Sequence, residues 1–308
     1  MFKQILIATD GSSCSDHALS YTTMLFAGRP EFTLHLVNCV RESHGALPEP
    51  IDDKNTLFPG SEHNEERSAV TNNCLRLARE RLIRVGVPDE RIKSSVIAAG
   101  SVSRAIQAEA EDLLVDAVLI ARKGLGFVGE MLLGSVSADL FKKCHQIPLW
   151  IIDGEVKKRD ILLSVDGSYH SLMAADHLGY ILSGRQDIQI VLYHCRRFFE
   201  KKVENDLEQV HARWGEHWCK TYLMGDNPTY EGPRQVLFEA GIPKNRITIL
   251  PKATRIDSSS SIINQARRHQ CGTIVMGRRL PGMVRGIWGE VASKTIKHTQ
   301  NMALWIVG

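Results

Sequence analysis

Between Asp116 and Asp139 the chain reads DAVLIARKGLGFVGEMLLGSVSAD. Glycines fall at 124, 126, 129 and 134, and hydroxyls at Ser135 and Ser137. The apolar run Ala117-Val-Leu-Ile120 ahead of them reads as a buried strand, and Val136, Leu140 and Phe141 behind them follow a helical period. A strand that breaks into glycines and restarts as a helix presents bare backbone N–H groups and the positive end of a helix dipole. That is the chemistry of a phosphate site. The serine hydroxyls add donors in the first turn, where an anion gains most. Gly124-Leu-Gly126-Phe-Val-Gly129 also fits the dinucleotide fingerprint GxGxxG, with Asp153 as a candidate ribose acid, which would make the chain a nicotinamide-dependent oxidoreductase. Its context is poor: Arg122 and Lys123 separate the strand from the glycines, and the motif sits near the end of a βα series. The pattern GxxxxGK[ST] is absent.

Other constellations say less. His211, His217 and Cys219 have ligand-type side chains, but a spacing of six leaves one helical face, so exposed helix positions are the simpler account. No metal site is expected. Trp214 and Trp218 stand four apart on the same predicted helix and form either an apolar stripe or the wall of a hydrophobic ligand or partner site. No nucleophile–base pair has recognisable spacing and no general base is visibly placed, so efficient catalysis is not expected.

The elements that must position these groups come from a chain of 308 residues, enough for two domains with real cores. No apolar run approaches the roughly 20 residues that span a bilayer, and Asp10 arrives too early for a secretion signal. Seven scattered cysteines without CxxC spacing point to a reducing cytoplasm. The net charge of +3 excludes a dedicated nucleic-acid binder. It is unevenly spread. Up to Gly154 there are 16 basic and 20 acidic residues, −4; from Glu155 on there are 22 and 15, +7. The second half is the one that would attract an anion or an acidic partner.

Strand one is read at Ile5–Thr9, the turn and helix cap at Asp10-Gly-Ser-Ser13, and helix one with Ala18, Tyr21, Leu25 and Phe26 inward. Strand two runs from Phe32 to Val40. A polar loop with Pro48, Pro50 and Pro59 leads to helix two, about Glu62 to Val85. Strand three covers Ile92 to Ala98. Ser101 caps a helix with an apolar stripe of Ala105, Ile106, Ala108 and Leu113, and Pro148–Ile152 forms the last strand. Alternation of this kind means a parallel sheet with right-handed crossovers. The order then repeats at an offset near 156. Ile5–Ser12 recurs as Ile161–Ser168, Leu36-Val-Asn-Cys39 as Leu192-Tyr-His-Cys195, Gly86–Ile92 as Gly241–Ile247, and Leu149-Trp-Ile151 as Leu304-Trp-Ile306. The chain is one domain duplicated, residues 1–154 and 159–308, joined by a charged linker.

These residues carry a resemblance. Asp10-Gly-Ser12 and Asp166-Gly-Ser168, Ile120-Ala-Arg-Lys-Gly124, the Gly134-Ser-Val-Ser137 turn and the apolar last strand resemble a universal stress protein domain, present twice. Gly124 and Gly134, with nine residues between them and Ser135 next, match the family's ATP pattern G-x2-G-x9-G-[ST], with Ala121 in place of its first glycine. The resemblance implies two α/β domains, each an open parallel five-stranded sheet, with nucleotide at the carboxyl ends of strands one and four. Open parallel sheets bind ligands in that crevice in general. Carried over, Thr9 and Asp10 face the adenosine, the backbone of Cys39 meets the adenine edge, and Ile120 and Ala121 flank the ribose. Gly124, Gly134, Ser135, Val136 and Ser137 hold the phosphates of ATP, with magnesium. Family likeness also implies pairing of the two halves through Leu149–Ile152 and Ala303–Val307 as an internal pseudo-dimer, with a homodimer as a further option; each strand would otherwise be a bare apolar edge.

The second half departs from the pattern. Gly277 restores the first glycine, but Leu280 replaces the second, Pro281 follows, and the span to Gly289 is one residue short. Glu290 stands in place of Ser135 and Ala292 in place of Ser137. A carboxylate repels phosphate, and each lost hydroxyl removes a hydrogen bond of about 0.5–1.5 kcal/mol or more. Arg278, Arg279 and Arg285 could offset part of this. The leading expectation is a cytoplasmic stress-response protein that binds ATP in its first half, hydrolyses it slowly at most, and signals to a protein partner still to be identified. The alternative is a binder of a non-nucleotide ligand or partner through the diverged second half.

Overall fold

A computed structural model describes residues 2–41, 60–123, 133–197, 207–278 and 290–308. The loop expected around Pro48, Pro50 and Pro59, the GxGxxG stretch with Gly124, and the segment from Arg279 to Gly289 lie outside these residues. The described chain forms two compact units, one up to Lys123 with Gly134–Cys144, the other from His145 on.

In the first unit β1 (Lys3–Ala8) leads into α1 (Ser13–Phe26), β2 (Phe32–Arg41), α2 (Gly60–Arg84), β3 (Ile92–Ala99), α3 (Val102–Asp112), β4 (Ala117–Ala121) and α4 (Ser135–Lys143). The strands lie in the order β3-β2-β1-β4, every pair parallel. The all-apolar runs Ile5-Leu-Ile7 and Ala117-Val-Leu-Ile120 are fully buried, as central strands covered on both faces require. α1 turns Ala18, Tyr21, Leu25 and Phe26 inward, and α2 does the same with Leu75 and Leu82. In α3 the buried face is Ser103, Ile106 and Ala110, while Ala108 is exposed. The stripe expected there is out of phase, because alanine fits either face and fixes no period.

The second unit begins with β5 (Leu149–Asp153). It continues through β6 (Asp160–Ser164), α5 (Tyr169–Leu182), β7 (Ile190–Tyr193), β8 (Cys195–Arg197), α6 (Leu207–Trp214), α7 (Glu216–Leu223) and α8 (Pro228–Glu239). Then come β9 (Ile247–Ile249), β10 (Ala253–Arg255), α9 (Ser258–Arg268), β11 (Cys271–Gly277), α10 (Glu290–His298) and β12 (Met302–Val307). β12, β11, β6, β7 and β9 form five parallel strands in that order. The helix expected to carry both Trp214 and Trp218 is two helices, broken at Gly215 with φ +85°. The rings stack across the break, centroids 5.7 Å apart, which is why a spacing of four looked continuous.

β5 pairs antiparallel with β12, so the two apolar last strands cover one another's edges, Trp150 opposite Trp305. Their indoles stack face to face at 3.9 Å, and His177 of α5 meets both rings edge-on. Trp150 Nε1–H donates to His177 Nε2 at 3.2 Å, which puts the imidazole proton on Nδ1. Burial pushes the His177 pKa down to about 3. Above pH ~6.5 the ring is neutral in folded and unfolded chains alike. Below it the unfolded chain takes up a proton that the folded ring refuses, so stability falls as pH drops from about 6.5 towards 3. The full slope for one such group is about 1.4 kcal/mol per pH unit; His177 retains some surface, so a shallower one is expected. Thermal unfolding between about pH 7 and 4.5 should show this decline, and His177→Gln should flatten it. Equal slopes in the two proteins would assign the acid sensitivity to other groups.

Candidate functional site

The turn after the first strand is built twice from the same parts. Asp10 Oδ1 accepts the N–H of Ser12 at 3.0 Å and Asp166 Oδ1 that of Ser168 at 2.9 Å. Gly11 and Gly167 have φ +76° and +79°, the left-handed region where a side chain is strained. Ser12 and Ser168 then cap α1 and α5, each Oγ accepting an N–H three residues on at 3.2 Å. The turn reverses the chain within four residues and leaves a cleft beyond the carboxyl end of each central strand.

The first-unit cleft encloses about 310 Å³. Its floor is Thr9 and Asp10 after β1 and Ile120 and Ala121 at the end of β4. One side is Val37, Asn38 and Cys39 of β2, another Val102 and Ile106 of α3. Gly134, Ser135, Val136 and Ser137, the start of α4, close the end, with Lys123 beside them. Gly134 is the N-cap and supplies no side-chain acceptor, so the first-turn amides of Ser135, Val136 and Ser137 have no intrahelical partner. Ser135 is exposed at this rim. Ser137 is buried, and its hydroxyl donates to the Ala121 carbonyl at 2.8 Å, which ties α4 to β4. Its backbone, not its hydroxyl hydrogen, is what remains for an anion. Burial, with the Glu109 carboxylate adding to it, pushes the Cys39 thiol up to about 11, so the sulfur stays protonated and the main chain is the stronger hydrogen-bonding group there. Lys123 is the functional candidate the sequence reading passed over, because next to Arg122 it looked like a spacer. Its position just after a strand with a helix N-terminus opposite was the available signal.

The second-unit cleft is smaller, about 110 Å³. Asp166, Ser168, Cys195, Gly277, Glu290 and Ala292 occupy the counterparts of Asp10, Ser12, Cys39, Ala121, Ser135 and Ser137. Gly277 has a packing reason of its own: a Cβ there would lie 2.3 Å from the carbonyl oxygen of His170. Trp214 and Trp218 are not in this cleft. Trp214 meets Tyr169 edge-on, and Trp218 meets Tyr222 and donates its indole N–H to Glu239 at 2.9 Å. Cys219 is buried in α7, and no cluster of three His, Cys, Asp or Glu able to hold a metal occurs among the described residues. No described helix is long and apolar enough to cross a membrane.

Parallel strands alternating with helices, and a cleft at the carboxyl end of each central strand, define a Rossmann-like α/β protein. The chain belongs to the universal stress protein family, whose sequence model matches residues 1–153. The second half repeats the first half's order of elements with β8, α6, α7 and β10 added, and the length of 308 residues is consistent with a tandem arrangement. Among solved structures, a universal stress protein from Archaeoglobus fulgidus DSM 4304 is 17% identical, with a TM-score of 0.64 over 99% of this chain and 97% of its own. A protein of unknown function from Pseudomonas aeruginosa PAO1 is also 17% identical, with a TM-score of 0.56 over 99% and 92%. A putative universal stress protein from P. aeruginosa UCBPP-PA14 is 16% identical, at 0.54 over 99% and 93%. At such identities the likeness is one of fold. No curated protein sequence matched the chain.

The Gly277 contact gives a test that separates packing from ligand binding. Gly277→Ala should cost about 1–3 kcal/mol or more in unfolding experiments, since the His170 carbonyl is backbone and cannot turn aside. Ala121→Gly, at the matching position of the first unit, should cost only the ~0.5–1 kcal/mol of added chain freedom.

Proposed function

We propose that the chain is a stress-response protein that binds ATP in the cleft of its first unit. The observation that carries the reading is the convergence of Thr9, Asp10, Cys39, Ile120 and Ala121 with the amides at the start of α4 on one cleft. The apolar walls, Val37, Ile106 and Ile120, suit a base and sugar. The dipole end of α4 and the Lys123 ammonium suit phosphates. Gly124 belongs to the same reading through the sequence alone. Magnesium would be held by the phosphate oxygens and water, since the described protein residues assemble no ligand cage. With no placed general base among the described residues, the reading has turnover slow at most. The output is a conformational or partner signal in the cytoplasm. Replacement of Ser135 by Glu290 in the second half argues for one nucleotide per chain.

Calorimetry with ATP and magnesium on the full chain should therefore give a stoichiometry of one. Ser135→Glu should weaken binding at least about tenfold, ~1.4 kcal/mol, by setting a carboxylate against phosphate. Unchanged affinity would remove Ser135 from the site. A stoichiometry of two, with the second site lost in Asp166→Ala, would show that the diverged half also takes nucleotide.

A further inference from the structure

The second-unit cleft differs from the first along its inner wall. Ser258, the first residue of α9, stands where Val102 stands in the first-unit cleft, so a side chain without polar atoms is replaced by a hydroxyl. Ser258 is 3% exposed, and its Oγ is buried with no hydrogen-bond partner. A buried hydroxyl without a partner is unfavourable, and a ligand that hydrogen-bonds it removes the deficit. The amide of the same residue has no intrahelical partner, while the Asp257 cap takes the amides of Ser259 and Ser260. Ser168 and Ser171 also line the cleft, but they are bonded to one another. Ser168 Oγ accepts the Ser171 N–H at 3.2 Å, and Ser171 Oγ donates to the Ser168 carbonyl at 2.9 Å. At the rim Glu290 pairs with Lys294, and Asp166 closes its turn on the Ser168 amide, so recognition at the inner wall calls on neither carboxylate. Val165, Ile262 and Met276 complete that wall, all aliphatic and buried.

We propose that the inner end of this cleft binds a short uncharged alcohol. Its hydroxyl would exchange a hydrogen bond with Ser258 Oγ and accept one from the Ser258 amide, and its alkyl chain would lie on Val165, Ile262 and Met276. The cavity, about 110 Å³ against about 310 Å³ in the first unit, suits a short chain. No charged group takes part, so the binding is insensitive to ionic strength. The site stands apart from the ATP reading, which concerns the other unit.

The test is an NMR titration of the full chain, labelled at its isoleucine and methionine methyl groups, with 1-propanol, and with 1-chloropropane as a comparison of the same shape. So small a ligand is limited to a Kd of about tens of micromolar at best, and millimolar binding is expected. The Ile262 and Met276 methyl signals should shift saturably with propanol. The affinity they report should be at least about fivefold higher than for chloropropane and equal at low and high salt. Ser258→Ala should weaken propanol about fivefold and leave chloropropane unchanged. Ser258→Val, which installs the residue of the first unit, should likewise weaken propanol, with unfolding temperatures confirming that both variants are folded. Equal affinity for the two ligands, propanol affinity unchanged in both variants, or no saturable shift of these methyls at tens of millimolar propanol would each overturn the proposal.

Discussion

The structure depends on how the chain leaves the first strand of each half. β1 and β6 lie inside their sheets with a parallel partner on either side, so the chain has to turn at once to make room for a helix. A glycine in the left-handed region, an aspartate closing the turn on the serine amide and a serine capping the helix solve this within four residues. The solution is tight: at Gly11 a Cβ would come within 3.0 Å of Cys74 Sγ on α2. Because the turn is so short, the carboxyl end of the strand is left uncovered, and the cleft is what remains. Asp10 and Asp166 are thus turn residues by hydrogen bonding and cleft residues by position, and the two roles do not compete.

From this shared frame the two cleft rims diverge first through side chains. Gly86 and Gly241 end their helices at φ +94° and +90°, each with its amide bonded three residues back at 2.9 Å and the next amide five residues back at 3.0 Å. Such matching geometry means that these two helix ends keep the same backbone rules in both halves. What changed is the rim. An exposed serine with a lysine nearby became a glutamate paired with its own lysine on α10. Electrostatics of this kind decide which ligand a conserved crevice admits, and they cost the fold little because a carboxylate at the first turn of α10 is itself favourable to the helix.

Much of this was legible from residue order alone. Continuous apolar runs placed the central strands, and the 156-residue repeat doubled the evidence for each. Gly134, Ser135 and Val136 announced a helix start facing the crevice. What stayed hidden depends on a third dimension the pattern does not carry. A hydroxyl can be spent internally, as that of Ser137 is on Ala121, without any sign in its spacing. A glycine can be needed for packing instead of for a ligand, as Gly277 is against His170. Two tryptophans four apart can stack across a helix break, since Gly215 alone does not tell a break from a tolerated glycine.

The strands beside the clefts extend the same argument. In the first unit β2 is an unbroken strand of ten residues that continues past Cys39, paired with β3 to Arg41 and Ala99. In the second, β7 stops at Tyr193 and Cys195 starts a separate two-stranded ribbon with β10. Pro251 follows Leu250, whose amide makes the last bond to the main sheet, and proline has no N–H with which to continue the ladder. The gap is bridged by Tyr230 of α8, buried, whose hydroxyl accepts the His194 amide at 3.2 Å and donates to the Leu250 carbonyl at 2.9 Å. His194 Nδ1 meanwhile lies 2.6 Å from the Val165 carbonyl, tying the break to the segment after β6. The wall that carries Cys39 in one cleft is therefore a continuous strand, whereas the one that carries Cys195 in the other is a ribbon held by side chains.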